Sequence, residues 1–384
     1  MLAGTNVALG VSGSIAAVKT VELAHELRRQ GAAVRAVMTD SAQGIIHPWA
    51  LEFATENPVV TEITGSVEHV ELCGYDGWAD VLLLAPATAN TIGKVASAVD
   101  DTPVTTTATT ALGADVPTLV APAMHEPMYD HPGVLAAIER LESWDVGFVE
   151  PRLEEGKAKI ASEEAIVLDI ARAVGSRPLA GKHVVVTSGP TSESIDPVRV
   201  LTNRASGRTG RAVAKACYVA GADVTLVHDG PDTPYAETRA VESAAEMLEA
   251  VRAVASDADA LVSAAAIGDY TVATAPEKIR SGQELTLDFE PTPKLIDSIR
   301  AEYPELTIVG FKLEPSGDDD AMIERARETL DRAGLAFVVA NDASVMGSET
   351  TRVLVVSPDD VRTHEGDKGA IGGRIVDALG DVLA

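Results

Sequence analysis

Hydrophobic and polar positions fall into a repeated unit along most of the chain. NVALGVSGS is a short β-branched run that ends in small residues, and AAVKTVELAHELRRQG follows it with helical spacing and a closing glycine. The pattern predicts a strand, a tight turn and a helix. AVRAVMTDSA, ADVLLLAPATANT and VPTLVAPAMHEPM repeat the theme: a buried apolar strand with small, polar or proline residues at its carboxyl end. The pattern weakens from about 150 to 180, through the acidic EPRLEEGKAKIASEEA and a helical AIVLDIARAVG. It resumes at KHVVVTSGPTSE and continues through ADVTLVHDG, ADALVSAAAIGDY, LTIVGFKL, LAFVVANDAS and TRVLVVSPDD. Strands alternating with helices predict α/β folding with mostly parallel sheets, whose ligands sit beyond the carboxyl ends of the strands. The expected division is two Rossmann-like three-layer domains, 1–178 and 179–384.

Charge narrows the partners. With 31 Lys+Arg against 58 Asp+Glu the net charge is −27, which repels nucleic acid and anionic membranes. Only ten of the basic residues are lysines, and the acids are scattered; such a surface suits a salt-rich cytoplasm, where screening suppresses self-repulsion. Cys73 and Cys217 are too few and too far apart for a disulfide framework or a zinc site, pointing to a reducing compartment. No apolar stretch reaches 18 residues and the N-terminus lacks a basic leader region, so a soluble, cytoplasmic protein without membrane contact is expected.

The chemistry-bearing residues stand at the strand ends. GVSGSIAA lacks the full dinucleotide fingerprint and has no acidic residue at the ribose spacing, which disfavours plain NAD binding. Its backbone N–H groups and Ser12 or Ser14 can still meet a phosphate at a helix N-terminus, or serve only as a tight turn. His69, read alone, is a histidine before a Val-Glu-Leu strand, and Met124 and Met128 alone read as core filler.

Taken together, GVSGSIAAVK, VMTDSA, HVELCGYDGWAD, LAPATANTIGK and APAMHEPMY resemble the flavin-dependent cysteine decarboxylases. TSGPTSESIDPVRVLTNRASGRTG with SAAAIGDY, PEKI, VGFK and VAND is similar to phosphopantothenate–cysteine ligases. Their order resembles the bifunctional coenzyme A biosynthesis family over nearly the whole chain. The resemblance implies a flavodoxin-like domain holding FMN, with Gly13, Ser14, Ile15 and Thr39 at phosphate or ring and Ala87, Thr88, Ala89 and Asn90 facing the flavin. It implies His69 as the catalytic base, and Met124, His125 and Met128 over substrate and flavin. In the second half it implies Asn203 at the acyl intermediate and Lys278 at the nucleotide phosphates. There Ala264, Ala265, Ala266, Asp269 and Phe311 would border CTP, with Mg2+ (or Mn2+) on its phosphates, and Asn341 and Asp342 are further candidates. A homo-oligomer is implied, up to a dodecamer of trimeric first domains joined through dimeric second ones.

Three departures from the family pattern stand out. The clamp cysteine that serves as acid in many bacterial members is absent from PRLEEGKAKI, leaving Lys157, Lys159, Glu155 or water as donors and Cys73 as a remote one. The glycine pair before the threonine reads Ser188-Gly189-Pro190. Arg325, Arg327 and Arg332 stand where bacterial members tend to have lysines, so the preference for CTP over ATP rests on the resemblance alone. Alternative readings are a regulatory flavoprotein-like subunit, since some relatives bind phosphatases, and another flavin-dependent decarboxylase; His69 with PAMHEPM favours catalysis and the ligase motifs favour the bifunctional enzyme.

Overall fold

The computed structural model describes residues 1–282, 284–314, 318–342 and 350–384, with Glu314 and Asp342 as backbone only. The chain divides into two compact units, Met1–Gly175 and Ser176–Ala384. Each is an α/β unit built on its own sheet.

In the first unit five parallel strands lie in the order Ala33–Met38, Asn6–Val11, Val81–Ala87, Thr118–Pro122, Gly147–Phe148. All seven residues of VLLLAPA are buried, as a strand covered on both faces requires. The chain runs outward from Asn6–Val11 to Ala33–Met38, then returns to place Val81–Ala87 on the other side. That reversal leaves a crevice at the carboxyl ends of Asn6–Val11 and Val81–Ala87. The Ser12 hydroxyl ties its two lips, donating to the Pro86 carbonyl at 2.7 Å and accepting from the Thr88 N–H at 3.1 Å.

Among the described residues the main sheet of the second unit has eight strands, in the order Glu237–Ala240, Asp223–His228, His183–Thr187, Ala260–Ser263, Thr307–Glu314, Phe337–Asp342, Thr350–Val356, Val361–Asp367. The first six run parallel, Thr350–Val356 runs against them, and Val361–Asp367 turns back to their direction. TRVLVVSPDD therefore closes the sheet as part of a hairpin. The reversal point here lies between His183–Thr187 and Ala260–Ser263. The Ala265 N–H donates to Thr187 Oγ1 at 3.2 Å and the Ala266 N–H to the Gly189 carbonyl at 2.9 Å, so the two strand ends are stitched together.

Local structure differs from the sequence reading in three places. The Val-Glu-Leu stretch after His69 is not a strand but part of the helix Glu68–Cys73; Leu72 and Cys73 point into the core while Val70 stays 47% exposed, a one-sided burial that six residues express as readily in a helix. The helix after GVSGS begins as a 3-10 turn, Ile15–Lys19, capped by Ser14, before the α-helix Thr20–Arg29. The acidic stretch near 150 forms a hairpin, Arg152–Glu154 with Lys157–Lys159, turning at Glu155 and Gly156, both at positive φ.

Candidate active sites

A cavity of about 500 Å³ opens at the reversal point of the first unit. Gly13, Thr39, Thr88, Asn90 and Met128 line it. Gly13 is required by packing: a Cβ there would run into the Ser41 side chain and come within 3.0 Å of its backbone. Thr39 caps the turn Asp40–Gln43, accepting from the Ala42 N–H, and its hydroxyl lies 3.0 Å from that of Ser41. Thr88 caps the helix Ala89–Ala96 in the same way through the Thr91 N–H. Sequence reasoning missed Ser41, Thr91, Thr102 and Thr105 in the wall, and Lys94, whose ammonium lies 2.6 Å from Asp101. The signal for two of them was present, because Thr102-Pro103 followed by Thr105 is a capping box opening the helix Pro103–Gly113.

The remaining first-half candidates lie around this cavity or apart from it. Ser14 donates to the Ala123 carbonyl at 3.2 Å. Ala87 ends its strand, Ala89 opens the following helix, and Ile15 is 78% exposed. Met124 and His125 pair with Ala158 and Lys157 of the hairpin, making a three-stranded sheet. Met124 is half-buried against the core and His125 is exposed. His69 is not among the residues lining the cavity of a single chain. Its Nδ1 is buried without a hydrogen-bond partner.

The hairpin narrows the set of proton donors. Lys159 sits 3.0 Å from Glu154 and 2.9 Å from Glu155; the two carboxylates raise its ammonium above the ordinary lysine range, and it lowers both of theirs. Each of the three is thereby held in its charged form. Cys73 is fully buried, and burial pushes its thiol up to about 12. Neither Lys159 nor Cys73 is suited to deliver a proton at neutral pH.

A second cavity, of about 280 Å³, opens at the carboxyl ends of Ala260–Ser263 and Thr307–Glu314. It includes Ala265, Asp269 and Phe311. The segment Ala264–Asp269 beside it is held by side chains at Ala265, Ala266, Gly268 and Asp269. Thr191 Oγ1 accepts from the Gly268 N–H at 2.8 Å, the Thr292 hydroxyl donates to the Gly268 carbonyl at 2.5 Å, and Asn203 Nδ2 donates to the Ala266 carbonyl at 2.5 Å. Asn203 Oδ1 accepts from the Ala205 N–H at 3.0 Å, which bends the chain toward the helix Arg208–Val219. Gly207, at positive φ, lets that helix start beside Gly189; a Cβ would lie 2.9 Å from the Gly189 backbone. Lys278 is exposed and is not among the lining residues. Its neighbour Ile279 is pinned on both sides, its N–H donating to the buried Asp196 carboxylate at 3.1 Å and its carbonyl accepting from Arg199 at 2.5 Å. The cations that do line the cavity, Lys294, Lys312 and Arg332, include two that sequence reasoning passed over. Asn341 belongs to the strand Phe337–Asp342, while the side chain of Asp342 lies outside the described residues.

Two families match the chain: Flavoprotein over residues 1–175, and the DNA/pantothenate metabolism flavoprotein C-terminal domain over 179–382. A curated relative from Thermococcus kodakarensis, the coenzyme A biosynthesis bifunctional protein CoaBC, is 49% identical over 93% of this chain and 90% of its own. The chain belongs to the bifunctional coenzyme A biosynthesis family. The CoaBC protein of Methanocaldococcus jannaschii is 36% identical over 99% of this chain and 94% of its own. The solved structure of the FMN-dependent cysteine decarboxylase SpaF is also similar, at 32% identity over 46% of this chain and all of that one, with a TM-score of 0.41. As a family member the chain is a two-activity enzyme, with a flavoprotein decarboxylase half and a ligase half. No described helix is long and apolar enough to cross a membrane.

Proposed function

We propose that the second unit joins 4′-phosphopantothenate to cysteine at the expense of CTP, and that the first decarboxylates the product to 4′-phosphopantetheine with FMN. The observation that carries this reading is the pair of cavities at strand carboxyl ends, the first at the reversal point of its sheet and walled by hydroxyls and a glycine turn, the second beside Ala260–Ser263 and lined by Lys294, Lys312 and Arg332.

In the ligase half the carboxylate of phosphopantothenate attacks the α-phosphorus of CTP. Pyrophosphate leaves, and the cysteine amine then displaces CMP from the acyl-cytidylate. Asn203 sits between the Ala266 carbonyl and the turn into Arg208–Val219, where its amide can hold the acyl oxygen. Ala265 and Phe311, which line the cavity, border the nucleotide with Ala264 and Ala266 beside them in the same segment, and Asp269 is a carboxylate of that cavity for the ribose or a phosphate-bound Mg2+ or Mn2+. Lys278, presented on the segment that Asp196 pins, reaches the phosphates from outside the cavity wall.

In the first unit the residues suit a flavin. The Gly13 turn has no room for a side chain, and Thr39, Ser41, Thr88 and Asn90 offer hydroxyls and an amide to a phosphate and ribityl chain. A bound FMN supplies the two-electron sink that removes and later returns the electrons of the substrate thiol. His69, whose backbone is set by the helix Glu68–Cys73, would take the proton released on thiol oxidation. His125, beside Met124 and Met128, donates a hydrogen bond to the departing carboxylate. Lys157 or water returns the proton to the enethiol, because Lys159 and Glu155 hold each other charged. Large apolar residues stand exposed on this unit, with Ile15 at 78%, Trp49 at 74% and Phe53 at 76%, which supports a homo-oligomer; the dodecamer comes from the family resemblance. A cytoplasmic location follows from the substrates, and neither nucleic acid nor membrane is a partner.

The test is mass spectrometry of products after incubating the protein, at high and low salt, with 4′-phosphopantothenate, cysteine, CTP and Mg2+. Phosphopantetheine with CMP and CO2 is expected. Phosphopantothenoylcysteine as the end product would remove the decarboxylase assignment, and no product at either salt would favour a regulatory subunit.

A further inference from the structure

Three cations from three separate stretches meet in the cavity of the second unit. Lys294 precedes the helix Leu295–Glu302, Lys312 lies in the strand Thr307–Glu314, and Arg332 closes the helix Asp319–Ala333. The chain has ten lysines in 384 residues and a net charge of −27. Two of those ten line one cavity of about 280 Å³, where with Arg332 they make three cations against the carboxylates Asp269 and Asp297, a local excess that opposes the balance of the whole molecule and suits a polyanion. Lys312 is half-buried and stands beside Ala340 of the parallel strand Phe337–Asp342, which fixes the base of its side chain. Lys294 and Arg332 are held by carboxylates of the same cavity: Lys294 lies 2.5 Å from Asp269, and Arg332 lies 2.7 Å from Asp297.

We propose that Lys312 and Lys294 receive the β- and γ-phosphates of the nucleotide, and that Asp269 is the counter-ion holding Lys294 in position until the nucleotide arrives. This rests on the ligase reading above and names the residues that distinguish a triphosphate from a monophosphate. In the resting protein the Asp269 carboxylate neutralises the Lys294 ammonium. A triphosphate carries more negative charge than one carboxylate and draws Lys294 to itself, which frees Asp269 to face the ribose or the phosphate-bound cation. Lys278 approaches from a different segment and adds to this pair without replacing it.

The test is calorimetric titration of the flavin-loaded protein with CTP and with CMP, both with Mg2+, comparing wild type with Lys312→Met and Lys294→Met. Each variant should weaken CTP binding about 10- to 100-fold, the loss of one charge-assisted contact, and change CMP binding by less than about threefold. Retained CMP binding and an unchanged circular dichroism melt show that the second unit is folded. Wild-type CTP affinity in both variants overturns the proposal, as does an equal loss for CTP and CMP, which would place these lysines at the nucleoside end. If wild type binds neither nucleotide, the ligase reading itself fails, an outcome distinct from a variant that behaves like wild type.

Discussion

Replacing Thr191 by valine isolates one hydrogen bond that shapes the cavity of the second unit, where the nucleotide is proposed to bind. Thr191 is 1% exposed, and its hydroxyl oxygen accepts from the Gly268 N–H at 2.8 Å. Valine keeps the shape and offers no acceptor. The backbone bonds of residue 191, from its N–H to the Ala266 carbonyl at 3.2 Å and from the Thr202 hydroxyl to its own carbonyl at 2.9 Å, survive the change. The loss is therefore one hydrogen bond plus an N–H left unpaired in a half-buried segment, about 1–3 kcal/mol. In a unit of this size that lowers the melting temperature by roughly 2–10 °C. The same energy, if it is felt as displacement of Gly268 and Asp269, lowers kcat/KM for CTP about 5- to 100-fold. The assay is steady-state ligation with varied CTP, beside decarboxylation of supplied phosphopantothenoylcysteine, which should stay at wild-type rate. Thr191→Ser keeps the oxygen and should recover ligation. Wild-type ligation and melting in the valine variant would show that Thr191 does not hold the segment, and would refute the reasoning.

Gly13→Ala should lose bound flavin while ligation is kept, because its Cβ overlaps Ser41; the ratio of flavin to protein absorbance after purification reads this, and full occupancy would contradict the cradle. His228 is fully buried with neither ring nitrogen hydrogen-bonded, and burial, then the Arg211 guanidinium, hold its pKa below the ordinary value against the opposing carboxylates of Asp229 and Asp232. The unfolded chain thus binds a proton more readily, so thermal stability should be full above about pH 6.5 and fall as the pH drops below it. His228→Gln should flatten that slope, and an unchanged slope would assign it to other groups. Both cysteines are buried with thiols pushed up to about 12, so a thiol reagent at pH 8 should label neither until denaturant is added; rapid labelling of Cys73 would reopen its candidacy as an acid.

Much of this protein is legible along the chain. Apolar runs such as VLLLAPA and HVVVT are short, bounded by small or polar residues and separated by helical spacing, and that rhythm alone implies parallel sheets with chemistry at the strand ends. Gly13, Thr39, Thr88, Asn90 and Met128 stand at those ends, and the fold gathers them around one cavity. A strand-end residue can be picked from sequence because the parallel sheet dictates where its neighbours' ends go.

Other features depend on contacts between distant stretches, and periodicity carries no information about those. Lys94 and Asp101 enter the cavity of the first unit through a helix and the loop that follows it. The family resemblance pointed to Lys278, and the fold brings Lys294 and Lys312 to the cavity of the second unit as well, because charge alone does not say which face of a segment turns inward. Whether Lys159 is a proton donor or a paired ammonium was decided by a hairpin that brings Glu154 and Glu155 within 3.0 Å of it. The sequence by itself determined the order of elements and the ends at which ligands meet them, since both follow from local patterning. Only the tertiary structure decided which charges are already neutralised by a neighbour and which face a cavity, since electrostatic roles are set by distance in space.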